Sequence, residues 1–162
     1  MMSPAKTSAS RDAAPLAAAD TWLSAADALY RAADEASRQH ERVAQLIDKH
    51  CADDELQDAA QICDLCYRQL AVRTSGYEAT AASGKGKGSA DESTWHAANT
   101  LWHASREYAR RQHSCDAVHA RMSRHSSGKL GQLTMEYELE ASALLALRHA
   151  AEAYQRTRPA LG

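Results

Sequence analysis

The chain has 162 residues, with 19 lysines and arginines against 21 aspartates and glutamates and a net charge of −2 with histidine neutral. That length suits one domain able to bury a core without staples. The balanced charge excludes the basic footprint of a nucleic-acid binder and the cationic face that meets an anionic membrane, and the apolar runs are too short to span a bilayer. The N-terminus lacks the apolar core of a secretory signal, so a cytoplasmic location is expected. Four cysteines in that setting read as free thiols rather than disulfides. Alanine is abundant and phenylalanine is absent; the three prolines, Pro4, Pro15 and Pro159, lie near the ends. Such a chain is free to be helical through its middle, and small side chains let helices approach closely.

Residues 1–14 are polar and aperiodic and read as a flexible tail. The bundle is expected over residues 15–158, with its first helix over about 16–50. The apolar seam of that helix runs Trp22, Ala26, Leu29, Ala33, Ala36, His40, Val43, Ile47 and His50, in alternating steps of four and three. His40 falls inside the seam. A short turn follows, with Asp53 as the expected cap of a second helix over about 54–82. The second seam reads Leu56, Ala60, Cys63, Tyr67, Leu70, Thr74, Tyr77 and Ala81, widened by Ile62 and Cys66.

The segment SGKGKGSA, residues 83–90, is the plainest loop. Ser89 with Glu92 has capping-box spacing and opens a third helix over about 90–125. Its seam reads Ala98, Leu101, Ser105, Tyr108, Gln112, Cys115, His119 and Met122, and Gly128 supplies a stop. A fourth helix over about 129–157 carries Leu130, Leu133, Tyr137, Glu140, Leu144, Leu147, Ala151 and Tyr154. Four long helices joined by short loops predict an all-α, up-down-up-down antiparallel four-helix bundle.

Laying the helices side by side at about 1.5 Å per residue brings His40, Cys63 and Cys66 to one level. Cys115 and Glu140 fall about one turn away, and His119 a further turn. Thiolate and imidazole ligands suit zinc or copper(I), so His40, Cys63, Cys66 and Cys115 form a candidate tetrahedral set. His119 and Glu140 would orient those ligands from behind. The opposing reading is a polar layer that sets helix register, with the cysteines packing as small hydrophobes. A haem held by His40 or His119 is a weaker third reading. A single CxxC is a weak metal signal, and no glutamate has a histidine three residues on, as carboxylate di-iron bundles require.

The tripeptide Trp-His-Ala occurs at 95–97 and again at 102–104. That spacing puts Trp95 and Trp102 on the flank of the third seam and leaves His96 and His103 facing solvent. The tryptophans read as boundary packing where a neighbouring helix covers them, and as a partner surface where they stay exposed. No phosphate loop, nucleophile elbow or zincin motif occurs. The expected function is non-catalytic, through protein–protein or self-association surfaces, with metal binding in the core as the alternative.

Overall fold

A computed structural model describes the backbone of residues 9–82, 91–124 and 130–161, and the side chains of residues 21–81, 91–117 and 134–161. Four helices follow in order: α1 Ala9–Asp48, α2 Asp53–Ala82, α3 Glu92–Arg124 and α4 Leu130–Thr157, then a single 3-10 turn, Pro159–Leu161. Each helix packs on its chain neighbours, α1 also packs on α4, and α1 meets α3 across the diagonal. This is the antiparallel four-helix bundle read from the seams. The contact surfaces within the α1–α2 and α3–α4 hairpins are more extensive than those between the hairpins. No described helix is long and apolar enough to cross a membrane.

Several boundaries differ from the sequence reading. α1 starts at Ala9, ahead of the expected start near residue 16, so residues 9–14 are helix rather than tail. Pro15 lies inside this span, where it donates no backbone hydrogen bond. α2 begins at Asp53 itself, one residue early. The Leu56 N–H reaches the Ala52 carbonyl at 3.1 Å, so Ala52 holds the cap position and Asp53 is the first helical residue. Asp53, Asp54 and Glu55 then face the positive end of the helix dipole together. α3 begins at Glu92, not residue 90, with Asp91 in front of it. The Asp91 carbonyl accepts from the Trp95 N–H at 3.0 Å, and its carboxylate accepts from the Ser93 hydroxyl at 2.6 Å. Asp91 therefore holds the cap position expected for Ser89. The loop 83–90 and Gly128 lie outside the described residues.

α1 ends in a Schellman arrangement. The Cys51 N–H bonds the Leu46 carbonyl at 3.2 Å and the His50 N–H bonds the Ile47 carbonyl at 3.1 Å. His50 takes the left-handed position with φ of 51°, a place glycine usually fills.

One half of the bundle is closely packed. Trp22, Ala26, Leu29, Ala33 and Ala36 of α1 are buried against Leu70 and Tyr77 of α2, Ala98 and Leu101 of α3, and Leu147 and Tyr154 of α4. Each buried leucine contributes roughly 1.5–3 kcal/mol relative to exposure. Without phenylalanine, the aromatic share of this core falls to tryptophan and tyrosine, whose polar ends need partners. Tyr77 donates to Asn99 Oδ1 at 2.7 Å, joining α2 to α3. Tyr154 donates to Asp27 Oδ1 at 2.7 Å, and the Arg158 guanidinium meets Asp27 Oδ2 at 2.9 Å, joining α4 and the segment after it to α1. Buried Thr74 and Ser105 hydroxyls return to their own helices, at the Leu70 and Leu101 carbonyls.

Candidate functional site

Towards the α1–α2 turn the core becomes polar. His40 on α1 places Nδ1 2.7 Å from the Tyr67 hydroxyl on α2 and 3.3 Å from the Tyr108 hydroxyl on α3. The two tyrosine rings meet edge-on with centroids 5.7 Å apart. Cys63, one turn before Tyr67, is buried, and the Tyr67 hydroxyl acts on its thiol. Cys115 on α3 is buried, and Glu140 of α4 acts on its thiol. Glu140 acts electrostatically on His40, Cys63 and Tyr108 as well. Arg148, two turns further along α4, donates to the Ser37 carbonyl and to Glu41, both at 3.4 Å.

The electrostatics favour the neutral forms of His40, Tyr67, Tyr108, Cys63 and Cys115. Burial lowers the affinity of His40 for a proton, opposed by Glu140 and reinforced by Arg148. Burial raises the Tyr67 and Tyr108 hydroxyls far above the ordinary phenol range. Burial, then Glu140, pushes the Cys115 thiol up to about 12, and burial also raises Cys63. The physical cause is shared: in a low-dielectric interior the charged form of each group loses its hydration. Metal ligation and nucleophilic attack both require thiolate.

His40 and Cys63 share Tyr67 as a common neighbour, and Cys115 lies by Glu140. Cys66, half-buried, lines a groove between α1 and α2, where Glu35 is its charged neighbour. All four cysteines are free thiols. Among the described residues no three histidine, cysteine, aspartate or glutamate side chains gather closely enough to hold a metal ion. His119 belongs to α3, and its side chain lies outside the described residues. The imidazole partners that sequence reasoning missed are Tyr67 and Tyr108. Both stand in the seams, where the alternating pattern counts them as apolar filling and overlooks their hydroxyls.

Trp95 and Trp102 are both half-buried and pack against the core. The Trp95 ring lies 5.0 Å from Trp22, and Trp102 lies 6.4 Å from Tyr77. Residues of the same helix shield the outer side of Trp102: the Arg106 guanidinium is 4.9 Å from the ring centre and the His103 ring 4.6 Å.

Among the described residues, large apolar side chains are left exposed at Ile47 of α1, at Met135, Tyr137 and Leu145 of α4, and at three positions of α2. Ile62, Leu65 and Val72 are 41%, 58% and 60% exposed and stand on one side of that helix. Ile62 and Leu65 border the groove in which Cys66 lies, whose volume is about 530 Å³. Its α1 wall is built from Ala28 and Ala32, with Arg31 and Glu35 at its rim, and Arg73 of α2 stands opposite.

Comparison with protein-family models, with curated proteins and with solved structures finds no match to this chain. The physical features of the two regions therefore carry the functional argument.

Proposed function

We propose that the protein is a non-catalytic four-helix bundle that acts by binding other protein chains through its surface. The observation that supports this reading most is that Ile62, Leu65 and Val72, large apolar side chains on one side of α2, are left in water, the first two beside a groove walled by Ala28 and Ala32. Exposed apolar side chains scattered singly need no explanation, whereas several on one side of a helix beside a concavity mark an interaction surface. Trp95 and Trp102 support such a role less well, because each spends much of its ring area on the core.

The test is a photoreactive residue placed at Leu65, with a second protein carrying it at exposed His149 on α4. Protein-sized adducts should form from position 65 and not from position 149. They should disappear when Ile62 and Val72 are replaced by lysine. Absence of adducts at position 65, or equal labelling from both positions, overturns the reading.

A further inference from the structure

We infer that the α1–α2 face receives a second copy of this chain, packed antiparallel about a two-fold axis that passes beside Leu65 and Cys66. The inference rests on the surface-binding reading above and names its partner.

Asp58, Ile62, Leu65, Gln69 and Val72 follow one another along α2 in steps of four and three, so they share a face, and Arg73 lies on its edge towards α1. The stripe has a polarity. Its N-terminal end is acidic at Glu55 and Asp58, its middle is apolar, and its C-terminal end carries Arg73, with Arg31 of α1 across the groove. Asp58 and Arg73 are equally distant from the midpoint between Leu65 and Cys66, about 11 Å each way along the helix.

A two-fold rotation about that midpoint therefore sets each Asp58 against Arg73 of the other copy. It also faces Ile62 with Gln69 and Leu65 with Cys66. The basic groove end carrying Arg31 and Arg73 meets the acidic end carrying Glu55 and Asp58. An isologous interface needs this self-complementarity, with acid and base placed symmetrically about an apolar centre. A stripe used for an unrelated partner has no reason to carry its own complement. The small side chains of Ala28 and Ala32 leave room for the second helix to settle between α1 and α2.

Sedimentation velocity and light scattering on the full chain test the proposal, with circular dichroism confirming that each variant keeps its helix content. Wild type should be a reversible dimer. Asp58→Arg alone and Arg73→Glu alone should each weaken self-association by at least about tenfold, since each puts like charges together twice per dimer. Mixing the two single variants should restore association as a heterodimer, because a chain basic at both positions then meets a chain acidic at both. The double variant should self-associate like wild type. Leu65→Lys should give a folded monomer.

A monomeric wild type, or a dimer indifferent to these changes, overturns the proposal, as does a mixture that fails to pair. Position-65 adducts with the mass of some other protein would overturn the second copy and leave the surface-binding function standing. No adducts at all would remove both.

Discussion

The imidazole of His40 and the hydroxyl of Tyr67, 2.7 Å apart, join α1 to α2 at the level where the core changes from apolar to polar. A neutral ring with its proton on Nε2 accepts the Tyr67 hydrogen at Nδ1. Protonation turns Nδ1 into a donor, so the hydroxyl must reverse while a new charge stands in a poorly hydrated site.

The consequence for stability has a definite sign. Burial lowers the folded-state proton affinity of His40 below its ordinary value of 6.5, so the unfolded chain holds more protons in the window just beneath that value. Stability should be complete above that window, fall as pH drops through it, and level off below the folded-state value. One group can contribute a slope of at most about 1.4 kcal/mol per pH unit. Urea unfolding across this range should show the slope, and His40→Gln should remove this residue's share of it. An unchanged slope in that variant would place the acid sensitivity elsewhere.

At the opposite end, Asp27 is a buried carboxylate shared between Tyr154 and Arg158. Tyr154→Phe removes one hydrogen bond and should cost about 1 kcal/mol. Asp27→Ala leaves both the hydroxyl and the guanidinium without their partner and should cost about 3 kcal/mol. The double variant should cost little more than Asp27→Ala alone, because the hydroxyl has already lost its acceptor. Chemical denaturation of the three proteins measures the coupling, and simple additivity would show that the two side chains do not act together.

His50 sits at a φ of 51°, where a Cβ is strained and glycine is not. Replacing His50 with glycine should stabilise the protein by about 0.5–1 kcal/mol. Because His50 is exposed, the change deletes little packing. A loss of stability would mean that the imidazole has a role beyond closing the turn.

The thiols should divide by environment. Cys63 and Cys115 are buried with raised proton affinities, Cys115 to about 12, whereas Cys51 is half-buried at the turn. In the native protein a thiol-reactive probe at neutral pH should modify Cys51 first, and Cys63 and Cys115 at least about tenfold more slowly. All four should react readily in denaturant. Rapid native modification of Cys115 would contradict the burial described for it.

The seams made the bundle legible, because a stripe repeating every three and four residues has few ways to be buried except against other helices. Trp22, Leu29 and Ala33, read as core from spacing alone, are buried. The same pattern fails near the α1–α2 turn. Ile47 and Tyr137 continue their seams yet are 54% and 47% exposed. Periodicity states which face a residue occupies, not whether a neighbour stands opposite. The influence of Glu140 on His40, Cys63 and Cys115 fits a register readable to within about a turn, because short loops limit how far antiparallel helices slide, yet among the described residues no three such side chains gather to hold a metal. Asp27 was not readable: an aspartate beside a seam looks like solvent surface until Arg158 and Tyr154 are brought to it from more than a hundred residues away. Leu65 and Val72 lie off the seam, and only the packed structure separates an apolar side chain covered by a neighbour from one left in water.

The division into two hairpins bears on how the molecule reaches this state. Contacts inside α1–α2 and inside α3–α4 close over a single turn or short connection, so little chain entropy opposes them. The thinner seam between the hairpins forms only after each has a surface to offer. The folding barrier should accordingly sit at the meeting of two prebuilt halves. Transient opening of the native protein should follow that same line, with each hairpin separating as a unit while its own helices stay paired.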